Sequence, residues 1–358
     1  MMEDRRYTFL FRTSPKPEKI RQWGGKVYHV SRYSRSVSAV VPSAKALKAL
    51  LRDHDLILAE QDRLVGLPSP QLEQIYRVRS FQEKSRRQVL PWNIQRVWNA
   101  KPVSNAGKGV RVGVIDTGID LTHPDLRGNI KGGVNLIKPS ASPQDDNGHG
   151  THVAGIIAAI NNRIGVVGVA PAAQLYAIKV LNSRGVGTLS TLIKGIEWAI
   201  DHGMHIVNIS IGGGTSVPGN LVAAINAAVN RGILVVAAAG NNGQANGKGN
   251  NVEVPAKIPG AVAVAALAKN NHRAPFSATG PEVDIAAPGV RILSTFKGGR
   301  YAVLSGTSQA APHVAGAAAV FKQLNPGLPL TVLKQILFRR ARQTGSPRLT
   351  GAGLLQIR

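Results

Sequence analysis

A carboxylate, an imidazole and a hydroxyl stand out along this chain, each among small residues: Asp116 in GVIDTGID, His149 in DDNGHGTHVAG and Ser308 in SGTSQAAPHVAG. A serine hydroxyl is a poor nucleophile at neutral pH. It needs a base within hydrogen-bond reach and a third group that holds the base in the productive tautomer. Taken singly these residues have ordinary readings, because an Asp after an apolar strand is often a cap and Gly-Thr-Ser opens many helices. Taken together, in the order Asp, His, Ser, they describe one hydrolytic site.

The surrounding text strengthens that reading. From His149 through NNRIGVVGVAPAAQLYAIKVL, IVNISIGGG and VVAAAGNNG, roughly the last three quarters of the chain resembles the subtilisin-like serine proteases. The resemblance implies Ser308 as nucleophile, His149 as general base and acid, and Asp116 as orienting carboxylate. It implies Asn241 as side-chain donor to the oxyanion, beside the Ser308 N–H at a helix start. Two segments, Gly185-Val186-Gly187 and Ser210-Ile211-Gly212, match the edges between which an extended substrate peptide adds as a strand.

Two departures bear on chemistry. Aligning VEVPAKIPG with the family puts Glu253 at the floor of the primary specificity pocket, where familiar subtilisins have glycine, with a register one residue away and a surface glutamate as the alternative; a carboxylate in the pocket favours Arg or Lys before the scissile bond. Asp145 and Asp146 are expected to add preference for a basic neighbour. Gln309 follows the nucleophile where many relatives carry methionine, and glutamine lacks the oxidisable thioether.

The segment Ile160 to Val166 resembles the family's calcium loop. It implies oxygen ligands from the Asn162 side chain, the carbonyls of Ile160, Ile164 and Val166, the Asp125 carboxylate and Gln88, a donor set that suits Ca²⁺. His149 and His152 also raise a zinc pair, but no third ligand lies nearby in the sequence, and the family uses the second histidine structurally.

These residues need a scaffold. VRVGVID, QLYAIKVL, HIVNISI, GILVVAAAG and AVAVAAL read as strands, with THVAGIIAAINN and TLSTLIKGIEWAIDHG as helices between them. The alternation predicts an α/β fold: a mostly parallel central sheet with helices on both faces, with the site where strand ends meet helix starts. Ahead of it, YTFLFRT, SVSAV, a helix SAKALKALLRD capped by Ser43, and ILAEQDRLVGL predict a small α+β unit. That unit resembles the ferredoxin-like propeptide of subtilases, an intramolecular chaperone and inhibitor. The expected organisation is therefore 1–66 propeptide, 67–87 exposed connector and 88–358 catalytic domain. Arg86-Arg87 would suit an acidic pocket, so self-processing after Arg87, freeing Gln88 to fold onto the calcium loop, is expected.

Bulk composition narrows the alternatives. Zero cysteines exclude disulfides, thiol catalysis and thiolate metal sites. No apolar run approaches the roughly 20 residues of a membrane helix, and MMEDRRYTFLFR lacks the pattern of a signal peptide. The resemblance implies an extracellular enzyme; the lack of a signal in this chain leaves a cytoplasmic one open. A net charge of +25 invites nucleic-acid binding, but the excess is spread over both parts and no nucleic-acid motif accompanies it. Polypeptide substrates, the chain's own propeptide and a monomeric state are expected. An inactive subtilase-like binding protein and a nucleic-acid-associated protein are the rival classes.

Overall fold

The structure, a computed structural model, describes residues 5–68, 71–76 and 88–358. Near the amino terminus, strands β1 (Arg6–Phe11), β2 (Lys26–Val30), β3 (Ser36–Val40) and β4 (Leu56–Gln61) pair antiparallel in the order β2-β3-β1-β4. Helix α1 (Pro17–Gln22) links β1 to β2, and α2 (Ala44–Leu50) links β3 to β4. Ser43 caps α2 as expected, its hydroxyl accepting the Ala46 N–H at 3.1 Å. Phe9, Phe11, Ile20, Val37 and Leu50 form a core private to this unit. Sequence reading passed over α1 and β2. One buries only Ile20 and the other has no fully buried residue, so neither carries a strong apolar period.

Strand β5 (Leu64–Gly66) leaves this unit, and β6 (Gln71–Tyr76) follows. The expected exposed connector is thus partly ordered, because β6 pairs with a strand of the larger unit; residues 77–87, including Arg86 and Arg87, lie outside the described residues.

The larger unit begins with α3 (Trp92–Trp98), β7 (Arg111–Asp116) and β8 (Ile130–Asn135). It continues through α4 (His149–Ala158), β9 (Gln174–Lys179), β10 (Val186–Thr188), α5 (Leu189–Asp201), β11 (Ile206–Ile209) and α6 (Gly219–Val229). Then come β12 (Leu234–Ala238), β13 (Ala261–Leu267), β14 (Ile285–Pro288), the hairpin β15 (Ile292–Phe296) and β16 (Arg300–Ser305), and α7 (Thr307–Leu324). Seven strands form one parallel sheet in the order β14-β13-β12-β11-β7-β9-β8.

Successive residues of a strand point to opposite faces, and here both faces are covered. On β12, Leu234, Val236 and Ala238 join the core beneath α4 and α7, whereas Val235 and Ala237 join the core beneath α5 and α6. This double burial is why the strand segments read as unbroken apolar runs.

The two units meet at helix starts. Glu60 accepts from the Gly219 and Asn220 N–H groups at 2.8 and 3.1 Å, at the start of α6. Asp62 accepts from the Ser190 N–H and hydroxyl at 2.8 and 2.7 Å, in the first turn of α5. Carboxylates from the small unit thus complete the positive ends of two helices of the large one.

Candidate active site

Asp116 is the last residue of β7, His149 the first of α4, and Ser308 the second of α7, so the sheet's carboxyl edge gathers all three. His149 Nδ1 lies 2.9 and 3.0 Å from the two Asp116 carboxylate oxygens. An N–H donated there makes Nε2 the basic nitrogen. Nε2 is buried and has no hydrogen-bond partner among the described residues. Ser308 Oγ donates instead to the Ser210 carbonyl at 3.3 Å, and Ser210 Oγ donates to the Ser308 carbonyl at 3.1 Å. Close approach needs Gly150 after the histidine: a Cβ there would run into the Gly118 carbonyl and lie 3.2 Å from Asp116 Oδ1.

Asp145 does not face a substrate. Its buried carboxylate accepts from Thr117 Oγ1 at 2.9 Å, from the N–H groups of Asn147, Gly148 and Thr151 at 2.8 to 3.0 Å, and from Thr151 Oγ1. It holds the turn before His149 to the residue after Asp116, and burial pushes its carboxyl up from the ordinary range. Asp146 pairs with the buried Lys179 ammonium at 2.7 Å. The expectation that Asp145 recognises a basic substrate residue is corrected accordingly; Asp146, though paired with Lys179, keeps its side chain 52% exposed.

Asn241 follows β12. Its Oδ1 accepts the Thr307 N–H at 2.9 Å and the Thr307 hydroxyl at 2.8 Å, which orients the amide so that Nδ2 is the donor end. Ser308 lies one residue past this anchor.

The two predicted substrate edges face each other across a groove, and a segment of the same chain lies in it. β5 pairs antiparallel with β10, matching Gly66 with Val186 and Val65 with Gly187. On the other side Gly66 and Gly212 exchange hydrogen bonds of 3.0 and 2.8 Å, and the Leu67 N–H donates to the Gly185 carbonyl at 3.0 Å. Carried two residues on, this register sets Pro68 opposite Ser210. Ile211 is buried behind the edge in the core beneath α5 and α6.

Glu253 is buried between these walls. A Cβ on Gly212 would collide with its Oε2, and one on Gly240 would lie 2.9 Å from its Cγ. Asn242 Nδ2 donates to Oε1 at 2.6 Å, and burial raises the carboxyl above the usual glutamate range.

The predicted calcium ligands also converge. Gln88 Nε2 lies 2.6 Å from the Ile160 carbonyl, 3.0 Å from that of Val166 and 3.2 Å from Asn162 Oδ1. The Ile164 N–H donates to Asn162 Oδ1 at 3.0 Å. Asp125 accepts from Asn162 Nδ2, the Val166 N–H and the Tyr301 hydroxyl at 2.9 to 3.0 Å. Three oxygens around one amide nitrogen form a cradle that fits a hard cation once the Gln88 amide turns its oxygen inward. Gln88 reaches the loop in the unbroken chain, so its placement there does not require prior cleavage.

The pattern of the Subtilase family matches residues 107–353. The chain belongs to that family. Subtilisin Savinase of Lederbergia lenta is 49% identical over 271 residues, covering 75% of this chain and 97% of the relative. A thermostable alkaline protease of Halalkalibacterium halodurans is 50% identical over 271 residues, covering 75% and 72%. Subtilisin E of Bacillus subtilis is 40% identical over 348 residues, covering 96% and 85%, so that match takes in the amino-terminal unit. This subtilase is a serine endopeptidase, and polypeptides are its substrates. Among its described residues, no helix is long and apolar enough to cross a membrane.

The second histidine of the HGTH segment in the subtilase, His152, is structural. His152 Nε2 donates to the Ile292 and Ala302 carbonyls, both at 3.1 Å, joining α4 to the hairpin, and burial holds its imidazole down at about 3. No group of three or more His, Cys, Asp or Glu residues placed to hold a metal ion occurs among the described residues. Sequence reading missed Thr307 and Asp145 as organisers of the site. Thr307 was visible only as part of Gly-Thr-Ser, and Asp145 was read as a substrate-recognising acid because its partners come from the fold.

Proposed function

We propose that the subtilase is made as a self-processing zymogen whose mature form cleaves after Arg or Lys. In the reaction, Ser308 Oγ turns from the Ser210 carbonyl toward His149 Nε2, gives up its proton there and attacks the scissile carbonyl. Asp116 stabilises the resulting imidazolium. The Asn241 amide and the Ser308 N–H receive the negative oxygen. His149 then returns the proton to the leaving amine, and water repeats the sequence on the acyl-enzyme.

One observation carries the zymogen reading: residues 64–67 of the same chain lie in the substrate groove, paired with the β10 edge on one side and, at Gly66, with Gly212 on the other. Pro68 has no N–H to give the Ser210 carbonyl, so this segment occupies the groove as a poor substrate. Cleavage after Arg87 would release it, and the buried Glu253 supports recognition of such a basic residue. Residues 1–66 would then act as inhibitor and folding partner.

Calcium is proposed for the loop at Asn162. Gln88, Asp125, Asn162 and the carbonyls of Ile160, Ile164 and Val166 would hold it, and its charge would tie the start of the mature chain to the end of α4. The site lies in the scaffold and takes no part in the chemical steps.

The full chain and its Ser308→Ala variant should be expressed in parallel and their amino termini sequenced. The expected result is a mature chain beginning at Gln88 and an intact variant; a wild-type chain that stays whole while hydrolysing peptides overturns the zymogen reading. Peptides with Arg or Leu before the scissile bond test the pocket. Glu253→Gly should move preference from Arg to Leu, and an unchanged ratio removes Glu253 from specificity.

A further inference from the structure

The chain is held on both sides of the nucleophile, and the downstream half of that grip involves a charged contact. β16 runs through Ser305 and Gly306 into Ser308, and its edge carries β6 in antiparallel pairing, with Gln71 opposite Ser305 and Tyr76 opposite Tyr301. Upstream, the groove register sets Pro68 opposite Ser210, whose carbonyl accepts the Ser308 hydroxyl at 3.3 Å, so the bond after Pro68 is taken as the reference for counting. Counted from that bond, Glu73 is the fifth residue on the leaving-group side. Its carboxylate meets two partners: Arg291 donates to one oxygen at 2.7 Å, and the Ser305 hydroxyl donates to the other.

Those partners are themselves fixed. The Arg291 N–H donates to Ser305 Oγ at 2.8 Å, and the Trp92 indole donates to the Arg291 carbonyl at 3.3 Å. Arg291 is held at φ 56°, a left-handed backbone that costs a non-glycine residue energy and persists only where its surroundings impose it. Ser305 is buried, so the hydroxyl that meets the carboxylate is a built part of the edge.

We propose that the β16 edge, with Arg291 and Ser305, is a substrate subsite that takes an extended polypeptide downstream of the scissile bond and selects a carboxylate at the fifth residue. β6 occupies it in the zymogen, and removal of residues through Arg87 frees it; to that extent the inference rests on the maturation proposed above. Strand pairing supplies binding that ignores sequence, and the arginine supplies the choice. The Arg291 side chain is 69% exposed, so the preference is modest and weakens with salt.

The test uses the matured full-chain product and two internally quenched peptides, identical except for Glu or Lys at the fifth residue after an Arg-directed scissile bond. The expected wild-type ratio of kcat/KM is about threefold in favour of Glu. Arg291→Glu should invert it, and Ser305→Ala should lower it. A wild-type ratio near one, or a preference that survives Arg291→Glu, overturns the subsite. Because the ratio is taken within each enzyme, it is insensitive to changes in overall activity. Failure of the maturation reading would show separately, in the sequenced amino terminus.

Discussion

Asn241 Oδ1 accepts both the backbone N–H and the hydroxyl of Thr307, the residue immediately before Ser308. The donor amide and the nucleophile are therefore held by one residue. Asn241→Leu is expected to lower kcat by about two to three decades with KM nearly unchanged, the scale of loss when one such donor is removed from a subtilisin. Steady-state kinetics on a chromogenic peptide would show it, and a loss below about threefold would remove Asn241 from the oxyanion site.

The proposed Arg preference should carry a pH dependence through Glu253. Burial raises its carboxyl above the ordinary glutamate range, so the charge that attracts Arg is present above this raised value and disappears as pH falls through it. The ratio of kcat/KM for Arg and Leu peptides is expected to fall with pH already above the range of an ordinary glutamate. A ratio flat down to the usual carboxylate range would contradict the burial argument.

Chelation should destabilise the protein. A cation bound only to the folded state adds about 2.7 kcal/mol at a hundredfold excess over its dissociation constant. Thermal melts of Ser308→Ala chain, which cannot digest itself, are expected to show a lower Tm in EDTA than in calcium. Asn162→Ala should erase most of that difference.

Gln309 is fully buried, and neither atom of its amide has a hydrogen-bond partner among the described residues. Gln309→Met removes an unsatisfied polar group and should raise stability by about 1 kcal/mol. It also places a thioether beside the nucleophile. Dilute peroxide should spare the wild-type enzyme and inactivate the variant, and rapid loss of wild-type activity would contradict this.

His313 lies buried in α7, donating from Nδ1 to the Gln309 carbonyl at 2.9 Å and accepting at Nε2 from Asn93 Nδ2 at 2.8 Å. Burial holds its imidazole down at about 4, against 6.5 when exposed, so the unfolded chain takes up the proton first. Its contribution is complete above pH 6.5 and is lost as pH falls toward 4. Denaturant melts of the Ser308→Ala background should show stability falling across that window, and His313→Gln should make the fall shallower.

Much of this arrangement was legible in the sequence because its signals are local. Runs such as GILVVAAAG announce strands buried on both faces, and Asp116, His149 and Ser308 each sit where a strand ends or a helix begins. What stayed hidden depends on contacts across long stretches of chain. Asp145 looks like a substrate-recognising acid until Thr117 and Thr151 are seen around it. Residues 71–76 look like connector, since nothing in their text names β16 as partner. The Ser308 hydroxyl pointing at Ser210 is a rotamer choice that no motif encodes.

Glu60 and Asp62 reach out of the small unit to neighbouring helices of the large one. A cut between the units would take both acids away, at a cost on the order of 1 kcal/mol per helix start. The loss is sharper at α6, where Pro218 offers no side chain to replace Glu60, than at α5, where Thr188 remains. If the first sixty-odd residues serve as the proposed folding partner, these two carboxylates are the handles by which they would grip the larger unit. A chain refolding without them would have to start α6 with no capping side chain, while α5 would keep its own from Thr188.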